Sequence, residues 1–216
     1  MSELLNIYRE RSGDPAFWGE PVNAMTNSSF LIAAVFAMQL AIQRQALTTT
    51  TVTLISLAAM IGVGSFLFHT AVSPLTMWLD VIPIAILQTL FLWLACREML
   101  SLGELRSAAV VTAVLLLSFA LMPVHRLLNG SLFYAPSLVA FLWLGYSLSQ
   151  RSISEPWLVL SAAVCFYLAV TARTFDWIVP WAVGSHYLWH MLNGVVVYLA
   201  LRSWILHVSQ LRLSEG

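Results

Sequence analysis

Five polar residues have types and spacing that suit one chemistry. Ser65 and His69 lie four apart in an apolar run, Asp80 follows eleven residues after His69, and His186 and His190 are again four apart. Residues four apart share a helix face. Three neutral imidazoles are a common ligand set for a catalytic Zn²⁺, which keeps a fourth position open for water. The metal brings the pKa of that water into the neutral range. Asp80 is then the candidate to take the water's proton and pass it to a leaving group. Ser65, on the face of His69, is the candidate to support an oxyanion or orient the water. A histidine pair at this spacing is a weak signal alone. A third histidine and an aspartate at the same depth strengthen it.

The elements that must bring them together are apolar helices. A spanning helix needs ~20 mainly apolar residues, and seven stretches approach this: about 22–42, 50–68, 75–96, 105–123, 132–148, 157–172 and 185–206. Short breaks containing Arg, Gly, Pro or Ser separate them, so the chain reads as one domain over 1–216 with a polar cap over 1–21. No alternating pattern persists, which argues against strands. The predicted fold is all-α, a bundle of seven transmembrane helices. Threaded up and down, the second helix ends where the third and seventh begin. His69, Asp80, His186 and His190 therefore share one layer on the N-terminal side. Ionisable groups at that depth are costly and usually functional. His125 and His207 fall outside this layer and read as interfacial.

Composition sets the solvent. Hydrophobic residues make up 60% of the 216 and charged residues 9%, against roughly 25% charged in ordinary globular chains. A soluble domain could not hide so much apolar surface, so a lipid bilayer is the expected partner. Net charge is zero, all ten basic residues are Arg, and no basic run exists, which excludes a nucleic-acid footprint. Cys96 and Cys165 lie within apolar runs and read as buried thiols. The first twenty residues lack an apolar core, so no cleaved signal peptide is expected. Arg9, Arg11, Arg126 and Arg173 fall on the N-terminal side of the bundle and the other six Arg on the opposite side. This bias predicts the N-terminus outside and the C-terminus in the cytoplasm. Ala33, Ala37 and Ala41, and Gly62 with Gly64, are small residues suited to close helix packing in lipid.

The pattern "GVGSFLFHTAVSPLTMWLD" with "SHYLWHMLN" resembles the alkaline ceramidase family. That family belongs to a group of seven-helix membrane hydrolases that also includes the adiponectin receptors. The shared skeleton is Ser-x-x-x-His, Asp eleven residues later, and His-x-x-x-His in the last helix. The resemblance covers nearly the whole chain. It implies zinc held by His69, His186 and His190 and hydrolysis of an amide in an N-acylated lipid, giving a fatty acid and a lipid amine. The N-terminal stretch "YRERSGDPAFWGEPVNAMTNSSF" resembles a segment that holds calcium in that family. Glu10 and Glu20 match its glutamates, Asn23 and Asn27 its asparagines, and Asp14 stands as a substitute ligand. The family's Asp and Asn are absent there, and Glu10 lies one residue too close to Glu20. The family's cysteine pair is also absent. Arg9 replaces one member, and an ion pair between Arg9 and Asp176 is the expected replacement tether. The alternative reading is a receptor-like or other membrane bundle with a structural metal site, which Asp80 would close as a fourth ligand. A haem bundle suits three histidines beside Ser and Asp less well. A transporter would call for internal repeats, and none is present.

Overall fold

In the computed structural model of the chain, residues 2–124 and 127–215 are described, with helices and no strand among them. His125 and Arg126, read above as interfacial and as part of the Arg count, lie outside the described residues. The longer helices are α1 (Pro21–Gln43), α2 (Thr49–Thr70), α3 (Pro74–Met99), α4 (Glu104–Ala120), α5 (Ala135–Ser149), α6 (Leu158–Thr174) and α7 (His186–Glu215). Five are long and apolar enough to cross a membrane: α1, α2, α3, α5 with its 3₁₀ lead-in, and α7. α6 is apolar but shorter. The outer faces are apolar too, with Ile32, Phe36, Met60, Leu116, Phe119 and Val139 all exposed. Lipid, not water, is the medium such faces suit.

Local sequence explains where the helices begin. The Thr48 side chain accepts from Thr51 N–H and caps α2. Ser73 and Thr76 form a reciprocal capping box at α3, with Pro74 in the first helical turn where its missing N–H costs nothing. Differences from the predicted boundaries have similar causes. α4 ends at Ala120 and gives way to a 3₁₀ turn over Met122–Val124, where Pro123 has no N–H to continue the helical ladder. α5 begins only at Ala135, since Leu128, Asn129 and Gly130 adopt positive φ in the preceding turn. The end of α3 widens to a π turn over Ala95–Met99. α7 continues to Glu215, well beyond 206.

Packing then sets which helix ends meet. Pro83 in α3 has no N–H to offer the Leu79 carbonyl one turn earlier. Gly64 of α2 lies against that carbonyl, where a Cβ would come within 2.1 Å of the oxygen. The bare glycine thus brings the α2 backbone onto α3 beside both Ser65 and Asp80. Gly62 faces the opposite way, toward Leu31 and the Asn27 carbonyl of α1. Gly194 of α7 abuts Ser29 of α1, whose hydroxyl donates to the His190 carbonyl at 2.8 Å. The apolar core, including Leu54, Ile61, Leu87, Leu144, Leu201 and Ile205, joins α2, α3, α5 and α7. Ala37 and Ala41 are fully buried within it.

Candidate metal centre

α2 contributes His69 in its last turn, and α7 contributes His186 as its first residue and His190 one turn on. All three are at most 2% exposed. One ligand atom from each lies within 4.8 Å of the others. Among the described residues this is the one such grouping of three or more His, Cys, Asp or Glu. The outer nitrogens are held by protein. His69 Nδ1 contacts Glu20 Oε2 at 2.6 Å, and His190 Nδ1 contacts the Thr26 hydroxyl at 3.1 Å. That hydroxyl donates to the Val22 carbonyl, so it accepts from His190. These contacts fix the tautomers that direct Nε2 of both rings toward a metal. His69 Nε2 and His186 Nδ1 are buried without a hydrogen-bond partner. Orphaned imidazole nitrogens converging at this spacing fit a bound divalent metal, and three imidazoles suit zinc.

Asp80 does not join the histidine grouping. It is buried in α3, as Ser65 is in α2. Both line a cavity of about 290 Å³ with His186, His190, Tyr8 and Arg173. Phe30, Ile61 and Ile84 also line a neighbouring apolar pocket bounded by Phe91, Ala200 and Leu201. Leu201 is eleven residues beyond His190, or ~16 Å along the helix. The five expected residues are therefore close together, at a cavity that shares walls with an apolar pocket. His207 is far from them. It is half-buried toward the other end of α7, beside Trp204, with Nε2 lacking a partner.

The N-terminal carboxylates expected to bind calcium meet protein donors, while Asn23 Oδ1 and Asn27 Oδ1 are buried without a hydrogen-bond partner. Arg11, 2% exposed, fills the space between the oxygen donors. Its Nε donates to Glu20 Oε1 at 2.7 Å, Nη1 to the Asp14 and Ala16 carbonyls, and Nη2 to the His69 carbonyl at 2.7 Å. Glu20 also accepts from Asn23 Nδ2. Glu10 accepts from Val22 N–H and Asn23 N–H at 2.8 Å and so caps α1. Asp14 accepts from Ala16 N–H. The carboxylates expected to bind calcium are thus committed to a guanidinium and to helix amides. Burial opposes ionisation of Glu20, but hydrogen bonds from His69, Arg11 and Asn23 outweigh it and hold the carboxyl below its ordinary value. Burial pushes the Glu10 carboxyl upward against the pull of its two backbone donors.

The expected Arg9–Asp176 ion pair takes a different form. Asp176 Oδ2 accepts from the backbone N–H of Arg9 at 2.9 Å, while Oδ1 accepts from Ser185 and His186 N–H. The Arg9 guanidinium donates instead to the Trp177 and Val179 carbonyls. Asp176 thereby ties the N-terminal segment to the start of α7 and orients His186. Gly184 permits this: it has φ +66°, and a Cβ there would meet Asp176 Oδ1 at 2.2 Å.

Tyr8 and Arg173 are site residues that the motif spacing does not mark. The Tyr8 ring stacks on His186, with centroids 3.7 Å apart. Arg173, in the last turn of α6, donates to the Tyr8 hydroxyl at 3.1 Å and lies 5.4–5.7 Å from the Tyr8, Trp189 and Tyr134 rings. An ionisable residue at the end of an apolar helix was the available signal for Arg173. No sequence signal marks Tyr8. No family model matches the chain, and no curated protein matches it.

Proposed function

We propose that this chain is a zinc-dependent intramembrane hydrolase that cleaves the amide bond of an N-acylated, ceramide-like lipid to a fatty acid and a lipid amine. The observation that carries the reading is the three-histidine cluster at a cavity lined also by Asp80 and Ser65, next to an apolar pocket. The arrangement also matches the alkaline ceramidase skeleton in residue type and spacing. In this reading all seven helices cross the bilayer, with the N-terminus outside and the C-terminus cytoplasmic. With α5 counted from its lead-in at Leu127, α4 and α6 are then the two shortest spans.

His69, His186 and His190 would hold the metal, oriented by Glu20, Asp176 and Thr26. A bound zinc supplies Lewis acidity toward the amide carbonyl and makes hydroxide accessible at neutral pH. The apolar walls hold the acyl chain and exclude bulk water, while His186 and His190 set the depth of the scissile amide. The Asp80 carboxylate accepts a proton from the attacking water and delivers it to the amide nitrogen as the C–N bond breaks. The Ser65 hydroxyl donates toward the developing oxyanion or orients Asp80. One water is consumed, and carboxylate and ammonium products form. Asp80 stands outside the histidine cluster, which favours an open fourth metal position over a closed structural site.

The test is to incubate detergent-purified, zinc-loaded protein with a panel of N-acylated lipids and measure released fatty acid. Release from at least one member, abolished by chelation and restored by zinc, is expected. No release from any N-acylated lipid by metal-loaded protein contradicts the reading.

A further inference from the structure

Arg173 is a permanent cation on the wall of the metal cavity, and its nearest neighbours leave it short of negative charge. Among the described residues it is in no ion pair; those present join Arg11 to Glu20, His69 to Glu20 and Arg202 to Glu155. Its Nε is buried without a hydrogen-bond partner. Three aromatic rings and one phenol hydroxyl surround it. Such rings stabilise a guanidinium while leaving its hydrogen-bonding fork available. Asp80 lines the same cavity but makes no ion pair with Arg173.

A neutral lipid amide would leave the Arg173 guanidinium without a counter-charge in a low-dielectric site, where uncompensated charge is costly. Position identifies which part of the lipid would compensate it. The acyl chain has the apolar pocket that runs down α7 to Ala200 and Leu201. Arg173 lies at the opposite, polar end, where Ile7 and Tyr8 of the N-terminal segment close the cavity.

We infer that Arg173 recognises a carboxylate on the amine side of the scissile amide, so that the preferred substrate is an N-acyl amino acid lipid. The guanidinium fork pairs with a planar carboxylate through two parallel hydrogen bonds. A headgroup carboxylate two bonds from the amide nitrogen places that anion beside the metal cavity, not in the apolar pocket. This rests on the proposed amide hydrolysis for its biological meaning, but the recognition is a binding property and can be measured without turnover.

The experiment uses full-length protein in detergent, stripped of zinc, with calorimetric titration of N-oleoylglycine, N-oleoylethanolamine and oleate. The wild type is expected to bind N-oleoylglycine at least about ten-fold more tightly than N-oleoylethanolamine, the size of one charge-assisted hydrogen-bond pair. Arg173→Gln should erase that preference while leaving N-oleoylethanolamine binding within about two-fold, and Arg173→Lys should keep part of it. Equal binding of the two amides by the wild type overturns the inference, whether or not the variants fold. So does a preference that survives Arg173→Gln, or an oleate affinity that matches N-oleoylglycine and depends equally on Arg173. The last result would assign the cation to the released acid. Hydrolysis by the zinc-loaded protein is then scored separately: failure to cleave either amide refutes the reaction, while the binding preference still decides the role of Arg173.

Discussion

Two arginines at the same end of the molecule, Arg11 buried and Arg173 half-buried, are treated in opposite ways. Arg11 is enclosed by a carboxylate and three backbone carbonyls. Arg173 has one phenol hydroxyl, three ring faces and an unpartnered Nε. The first is a finished structural joint. Its Nη2 bond to the His69 carbonyl and its hold on Glu20 connect the N-terminal segment to a metal-ligand helix. The second is an unfinished one, on a cavity wall that a ligand can complete. The inventory of partners separates a scaffold charge from a functional one.

The largest effect tests the functional half of that end. Asp80→Asn should lower turnover of a hydrolysed lipid by about 10²–10⁴-fold while zinc content stays unchanged. Full turnover in this variant would remove Asp80 from its assigned role. Next comes the structural half. Arg11→Met strands the Glu20 charge in a buried site, so unfolding should become easier by about 3–5 kcal/mol. Arg173→Met strands no paired carboxylate and should cost about 2 kcal/mol or less, mainly lost ring contacts. Equal losses in the two variants would break the comparison.

Asp176 offers a finer test. Asp176→Ala removes the acceptor of three backbone N–H groups and should cost about 2–3 kcal/mol, with weaker metal retention because His186 loses its anchor. Arg9→Ala should cost about 1 kcal/mol, since the bond to Asp176 uses the backbone N–H that alanine retains. A larger loss for Arg9→Ala than for Asp176→Ala would mean that the side chains carry the tether after all. The smallest effect lies far from the site. Hydrogen bonding from Arg202 holds the Glu155 carboxyl below its ordinary value of 4.5. A depressed folded pKa means that this stabilisation is present above pH 4.5 and disappears as pH falls through the folded value. The pair is substantially exposed, so screening limits Glu155→Gln to under about 1 kcal/mol in chemical unfolding at neutral pH. The difference should vanish when the same comparison is run in acid.

The histidines and Asp80 were legible because helical periodicity turns spacing in sequence into position on a face, and short loops turn helix order into depth. The helix cores were legible for the same reason. Boundaries were less so, because capping, a proline and a run of positive φ decide them locally, as at Ala120 and Ala135. Partners were the least legible. The sequence shows that Glu10, Glu20 and Asp14 are acidic, not that Arg11 and helix amides already occupy them. It shows Arg9 and Asp176 as opposite charges, whereas the bond uses a backbone amide that every residue other than proline possesses. Tyr8 and Arg173 reach the cavity only through the tertiary arrangement of the N-terminal segment and α6.

Metal analysis of the purified wild type beside His186→Ala tests the account most directly, because every functional statement rests on three imidazoles holding one ion. The account predicts about one zinc per wild-type chain and almost none in the variant. A folded wild type, purified without chelators in the presence of zinc, that carries no metal would contradict it. So would a His186→Ala protein that keeps a full complement.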